Sequence, residues 1–586
     1  MSMLDASKIG FRWKGQYAEG TLYVVGDTVS KDGFVKFWDG STWRTMASGQ
    51  VGSTTKGDLI HNMDYYLSGA VNQKFTVSSV GRPIWQYDDI SRTNGVLRLP
   101  EYYAGTGYST GHHHNMHVIM TDGTVMAWGR NLNKSLGAGN QGDIGRSLPV
   151  QLQFYSDTAP IVKLFGAREF CFALDADGRI YGWGHNNYGN VGNGTTTDVQ
   201  RPTLINGKGD LPENAVVVDC YPVCSYNGYK STMFLTEDGK VYCCGRNDNY
   251  NFGIGDGSTG TGNQTTPRLS KRSEMVPMKK IFNGQMYYAA SAMLGEDNIL
   301  YVIGETSSSL STWSGNPPNN LSIHEAWAPS VDPGFTPKQV VWHESDDHSQ
   351  TGTQYHRTGL VVSEEGNMYS WQVSNRRSQI ADFNPAGTFY NEWLPETRID
   401  NIAEAYTGHG GYEHIIARKK NGEIWAIGQD QYGMNGFDAD GNDIAAQNTW
   451  ARNYHWAPDI VKLTHITSRY GNQSMGLTAS GYVQSSGNNT VGNPGYGWAN
   501  NIGDNLGSRG ADDWPSNTQT LRRMARVPDA VVDYYTAGYV QDATTDLTTY
   551  YLTDRGELWS AGAGSHGRLG WEDDNENGYT PQRVRL

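Results

Sequence analysis

The densest group of possible metal ligands in this chain is His112-His113-His114 with His117. Imidazoles hold zinc when three or four converge on one point. Neighbouring residues of a strand point to opposite faces, so this run is divided between two sides and one histidine is expected in the core. Glu364-Glu365 and Asp438-Ala439-Asp440 are the carboxylate pairs that acid–base chemistry would use. Both sit in turn-like contexts, where solvated carboxylates are the plainer expectation. The segment from Asp438 to Ile444 has the opening of a calcium loop but lacks its closing glutamate. The five cysteines are Cys171, Cys220, Cys224, Cys243 and Cys244. An odd count argues against a disulfide framework. Cys243 and Cys244 are adjacent and would face opposite ways on a strand, which suits buried thiols better than a metal site. No Ser-His-Asp order, nucleotide fingerprint or P-loop is recognisable. No catalytic residue, metal or cofactor is therefore assigned, and an enzyme is not expected.

Aromatic side chains are the other source of chemistry. Trp313, Tyr496, Trp498 and Trp514 lie in two long insertions, 305–338 and 488–525, rich in Gly, Asn and Pro. Exposed rings beside Asn and Asp can stack on sugars while the amides bind hydroxyls, so these four are candidates for binding a receptor or glycan. The plain alternative is that each loop folds back and buries its own ring. Near the start of the chain, Trp13, Tyr17, Tyr23, Trp38 and Trp43 form either the small core of a module or a docking face. They are the candidate attachment residues.

The elements that must position these residues are repeats. A polar turn ending in glycine recurs eight times, at Gly123, Gly178, Gly239, Asn298 (asparagine in place of glycine), Gly366, Gly422, Gly481 and Gly556. An apolar run enters each turn, as in Phe170-Cys171-Phe172-Ala173-Leu174. Another leaves it, as in Ile180-Tyr181-Gly182-Trp183, closed by Gly184. The closing glycine falls six residues after the anchor in seven copies, and Gln372 takes its place in the other. Turn spacings of 55, 61, 59, 68, 56, 59 and 75 residues mean one small sheet per repeat, stacked beside its copies. The recurring Trp128, Trp183, Trp371 and Trp559 are expected to lie between neighbouring sheets.

Composition agrees with a turn-dense all-β protein. Only 18% of residues are charged, while Gly (72), Tyr (35) and Trp (18) are plentiful. The net charge of −14 argues against nucleic acid as a partner, because phosphate binding needs a basic footprint. The first residues lack the charged-then-apolar pattern of a signal segment. No apolar run of about 18 residues predicts a membrane span.

Four regions follow. Residues 1–46 read as a small β-module with hairpin signals at Lys31-Asp32-Gly33 and Asp39-Gly40. Residues 47–58 read as a linker. Residues 59–104 are a connecting or closing segment, and 105–586 hold the repeats.

The run Asp177-Gly178-Arg179-Ile180-Tyr181-Gly182-Trp183-Gly184-His185-Asn186-Asn187-Tyr188-Gly189 resembles the regulator-of-chromosome-condensation repeat family. Val125-Met126-Ala127-Trp128-Gly129-Arg130-Asn131 and Glu557-Leu558-Trp559-Ser560-Ala561-Gly562 match the same pattern, and His414 fits its histidine position. The resemblance implies a β-propeller of four-stranded blades, usually seven; eight anchors leave seven or eight open. It also implies nucleotide exchange on a small GTPase, which the acidic charge and the missing basic tails do not support here.

Residues 13–29 resemble a short module of phage tail-fibre and virion proteins and are similar to small chitin-binding-type modules. That resemblance implies a non-enzymatic virion protein of tail-fibre or surface-appendage type. Its N-terminal module would attach to other virion proteins, a role that suits trimeric assembly. Its propeller would meet a host surface glycan or protein. The competing expectations are a cellular propeller scaffold of GTPase-regulator type and a polysaccharide depolymerase.

Overall fold

The computed structural model describes residues 12–16, 27–31, 34–38, 43–45, 65–67, 73–77, 83–87, 96–99, 102–104, 115–139, 145–167, 169–224, 230–247, 262–283, 290–304, 323–327, 336–346, 355–373, 394–407, 414–428, 447–454, 456–466, 473–487, 527, 530–541, 544–571 and 578–586. Each repeat is one antiparallel sheet. In the second repeat the strands are Ile161–Ala167, Phe170–Asp175, Ile180–Gly184 and Val199–Leu204, paired in that order. Tyr102–Ala104 adds to this sheet, parallel to Ile161–Ala167. The first sheet takes its opening strand from Val96–Arg98, inside the segment read as connecting or closing.

Eight such sheets follow the eight turns. Seven contain at least four strands, and the one built on Ile460–Ile466, Gln473–Thr478 and Val483–Gly487 contains three among the described residues. The opening strands of the second to the seventh sheets lie beside one another in turn. This is an all-β propeller. Arg12–Gln16, Asp27–Lys31, Phe34–Trp38 and Trp43–Thr45 form a separate four-stranded sheet. Tyr65–Leu67, Gln73–Val77 and Pro83–Tyr87 form a three-stranded one.

The anchor glycines explain the repeat. Gly178 has φ +81°, a conformation that L side chains rarely adopt, and a Cβ there would lie 2.7 Å from Val216 Cγ1 of the next sheet. The tight approach exists because the Val217 amide donates to the Gly178 carbonyl at 2.9 Å, while the Val216 carbonyl accepts from Glu237 N at 2.9 Å. The same clamp returns as Ile161 N to Gly123 O, Met278 N to Gly239 O, Ile402 N to Gly366 O and Val531 N to Gly481 O. Asn298 keeps the geometry with φ +65°, which asparagine tolerates better than other residues with a side chain.

Each opening strand from the second sheet to the eighth shifts register near its start, between Ile161 and Lys163, Val217 and Asp219, Met278 and Lys280, and at the matching places onward. Such a bulge re-aims one side chain. Lys163 Nζ donates to Val218 O at 3.4 Å and Lys462 Nζ to Asp533 Oδ1 at 2.6 Å, both in the following sheet.

A second set of ties runs through the tryptophans. Trp183 is fully buried and donates from Nε1 to Ser135 O of the preceding sheet's loop at 3.0 Å. Trp128 does the same to Arg568 O at 2.8 Å and meets the Tyr550 ring edge-on, closing the ring between the last sheet and the first. Cys244 Sγ takes the tryptophan's place in the third sheet and contacts Asn190 O at 3.3 Å. Trp559 departs from the expected role. It stands three residues after its anchor rather than five, is half-buried, and bonds Glu557 Oε2 at 3.3 Å within its own sheet. The side chain of Trp371 lies outside the described residues.

Two outcomes test these ties. Gly178→Ala should lower stability by about 1–3 kcal/mol, while Asn298→Gly should leave it nearly unchanged, in denaturant titrations followed by tryptophan fluorescence. Trp128→Phe keeps an aromatic ring but removes the Nε1 donor and part of the buried indole volume. It should cost about 2–3 kcal/mol by the same measurement, with the Arg568 carbonyl still held by Tyr550 Oη at 2.5 Å.

Candidate functional site

Every sheet has two ends. One carries the anchor turn and the link to the next sheet. The other carries the connections between its first and second strands and between its third and fourth. At this loop end, the residue nine before the anchor meets the residue seven after it. His185 N donates to Glu169 O at 2.8 Å and Arg246 N to Lys230 O at 2.9 Å. The eighth sheet fills the same two places with Leu547 and Ala563, joined by Ala563 N to Leu547 O at 2.8 Å. The backbone pairing is the same in these three sheets while the side chains differ.

In the second and third sheets those side chains form an ionic cluster. Glu169 and Lys230 are only 7% and 5% exposed. Glu169 Oε2 lies 2.8 Å from Lys230 Nζ and 2.5 Å from His185 Nδ1, and Lys230 Nζ also contacts His185 Nδ1. One carboxylate thus serves two basic groups across the seam between two sheets. Removing one member of a buried pair leaves the other uncompensated, at a cost of about 3–5 kcal/mol. On the far side of the ring, His185 Nε2 is 4.0 Å from Asp198 Oδ1. The partners of His185 are Glu169, Lys230, Asn133 and Asp198, none of which offers a hydroxyl or thiol. The set is built to hold charge and position rather than to activate a Ser or Cys nucleophile.

The loop carrying His185 is rigid. Asn186 is fully buried and donates from Nδ2 to Thr195 O at 2.8 Å and Thr197 O at 3.2 Å, while its Oδ1 accepts from Val191 N at 2.9 Å. Asn190 donates to His185 O at 2.7 Å. Asn131 repeats the Asn186 role in the first sheet, accepting from Leu136 N at 3.1 Å. Above the third sheet, the Arg246 guanidinium sits 5.1 Å from the Tyr188 ring centre.

The structure disperses most residues singled out from sequence. Trp13, Trp38 and Trp43 lie on strands of the N-terminal sheet, with Trp38 and Trp43 in register. Tyr17, Tyr23, Trp313, Tyr496, Trp498 and Trp514 lie outside the described residues, as do His112, His113, His114, Asp438 and Asp440. His117 is a core residue, fully buried against the Trp183 ring, with Nε2 donating to Leu136 O at 3.1 Å. Glu364 and Glu365 are exposed in an anchor turn. Cys171, Cys220, Cys243 and Cys244 are buried free thiols, and Cys243 and Cys244 serve different core clusters. Among the described residues no three potential ligands converge as a metal site. No described helix is long and apolar enough to cross a membrane.

Sequence reasoning missed Glu169 and Lys230. The available signal was their shared place, nine residues before Gly178 and Gly239.

Residues 122–174 and 177–220 match the regulator of chromosome condensation (RCC1) repeat model, and residues 225–251 match a second model of the same description. Residues 122–251 of this chain thus resemble RCC1 repeats. The matched stretch spans the ionic cluster. Its relatives include the ultraviolet-B receptor UVR8 of Arabidopsis thaliana, 23% identical over 56% of this chain and 66% of that protein. The human E3 ubiquitin-protein ligase HERC2 is 28% identical over 34% of this chain and 4% of its own length. The yeast guanine nucleotide exchange factor SRM1 is 30% identical over 24% of this chain and 28% of its own length. Each match thus spans less than two thirds of the relative. Among solved structures, yeast Prp20p aligns with a TM-score of 0.42 at 13% identity, covering 82% of this chain and 88% of that one. Human WBSCR16 aligns with 0.41 at 17%, covering 65% and 86%.

Burial holds the His117 imidazole well below its usual range, at about 4, so the folded protein keeps it neutral. The unfolded chain binds this proton from about pH 6.5 downward and the folded one does not. This contribution to stability is therefore complete above pH 6.5 and is lost as the pH falls toward 4, by up to about 3 kcal/mol. His117→Gln should flatten that part of the stability–pH curve, measured by denaturant titration at several pH values.

Proposed function

We propose that this chain is a non-enzymatic interaction scaffold whose RCC1-repeat propeller presents the loop end of its first three sheets to a partner protein. The observation that carries this is the Glu169–His185–Lys230 cluster, which charges and stiffens one seam at that end while the eighth sheet has apolar residues in the same places. A rigid scaffold with variable loops is the usual setting for recognition. The named activities of the relatives differ — a light receptor, a ubiquitin ligase, an exchange factor — although each shares a stretch of this sequence. That diversity supports a scaffold whose task is set by its surface rather than by its fold.

Virion attachment through residues 1–58, with a virion location and a host-surface partner for the loops, is the less supported reading. It rests on the resemblance of the N-terminal module alone, and relatives that match the repeats include plant, mammalian and yeast proteins.

The test is site-specific photo-cross-linking in the source cell. A photoreactive residue replacing exposed Thr196 at the loop end should capture a discrete protein that the same residue at exposed Glu296, in an anchor turn, does not. Equal products from both positions, or none from either, would overturn the proposal.

A further inference from the structure

We infer that the inner edge of the second sheet is a strand-addition site, where an extended segment of the partner protein takes the place of the chain's own Tyr102–Ala104. This deepens the scaffold reading above and rests on it. Among the described residues, the other seven propeller sheets begin at their opening strand, and the second sheet goes one strand further. Tyr102–Ala104 runs parallel to Ile161–Ala167, with Tyr102 opposite Phe165, Tyr103 opposite Gly166 and Ala104 opposite Ala167. It also lies close to Val217–Cys224 of the third sheet. The added strand therefore sits at the seam that holds Glu169, His185 and Lys230, and its pairing stops two residues before Glu169.

The opening strand of the second sheet suits an added backbone. Gly166 is the middle residue of the pairing, and a glycine inside a strand marks a place where another backbone approaches closely. Pro222, Asn283, Trp342, Thr407, His465 and Thr536 stand at the same place in the third to eighth sheets, five residues after the start of the opening strand. Pro222 also lacks the amide that a ladder uses. A strand edge is a row of N–H and C=O groups, so it accepts an extended chain through main-chain bonds, and alternate side chains then select the sequence.

The present occupant is built to leave. Its three residues are short against the usual five or six, and parallel pairing is slightly less stable per residue than antiparallel. It belongs to the connection 99–114 between Val96–Arg98 and Asn115–Met120, whereas the corresponding connections of the second and eighth sheets are residues 168–169 and 542–543. Both ends of the long connection are fixed in the first sheet. Leu99 is buried in the core, and Asn115 Nδ2 donates to Ser135 Oγ at 2.8 Å. Sixteen residues where two suffice give the chain length to release the strand without moving either end.

The experiment uses the full chain and a fluorescein-labelled peptide of residues 99–107, followed by polarisation. Tyr103→Pro with Ala104→Pro removes two amides of the added strand and opens the edge. This variant should bind the peptide about tenfold more tightly than the parent, with an unchanged melting midpoint. Ala104→Cys with Ala167→Cys joins two residues that face each other in the pairing. Oxidised, it should not bind the peptide; reduced with dithiothreitol, it should bind like the parent. With the photoreactive residue at position 196, the oxidised form should also capture less partner from an extract of the source cell than the reduced form. The inference is overturned if the opened variant binds the peptide no more tightly than the parent, or if the oxidised and reduced forms bind peptide or capture partner alike. Equal capture by both forms would leave the scaffold standing and remove only the strand site, whereas no capture by the parent would remove both.

Discussion

The structure depends on one hydrogen bond, found at five of the eight turns among the described residues. The amide that opens a sheet donates to the carbonyl of the glycine that ends the previous sheet's turn, as Val217 does to Gly178. Only a residue tolerant of positive φ can offer its carbonyl there while leaving room for the next chain. The spacing between repeats can stretch from 55 to 75 residues because all the variation falls in the connections, outside this contact. Fold and repeat pattern are consequences of the same requirement.

The clamp at the turn end leaves the loop end unconstrained by it, and the Trp128 and Trp183 ties secure the sheets further along their length. Backbone geometry at the loop end is kept by the pairing of residues such as Glu169 and His185, which specifies no side chain. Charge can therefore collect in the second and third sheets while apolar residues fill the same places in the eighth. This separation of structural from functional positions is what allows one architecture to carry unrelated tasks.

The fold was legible in the sequence because the clamp demands a particular residue type at a fixed place. The eight turns marked eight sheets, and Asn298 reaches the same backbone conformation as the glycines, although the next sheet opens with Pro337, which has no amide to donate to it. The tryptophans were half legible. Trp128 and Trp183 bridge sheets as the repeat suggested, but Trp559 occupies a different register, and the difference of two residues decides whether a ring meets the preceding sheet or its own glutamate. The ionic cluster was not legible as a motif. Its members come from two repeats, Glu169 and His185 from one and Lys230 from the next, and nothing in the chemistry of a lone glutamate or lysine signals that they meet. Composition pointed instead to aromatic-rich insertions, where the eye is drawn by rare residues rather than by register.

The clamp also has a direction in time. In each pair the carbonyl belongs to the earlier residue and the amide to the later one, so a chain emerging from the ribosome presents an acceptor before its donor has been made. Every new sheet can dock on a finished template. The closing tie differs, because Trp128 of the first sheet must wait for a carbonyl 440 residues downstream. Until the final repeat is synthesised, one buried tryptophan and the apolar flank around it have no neighbour. The nascent ring thus keeps the flank of its first sheet open until the last one is made.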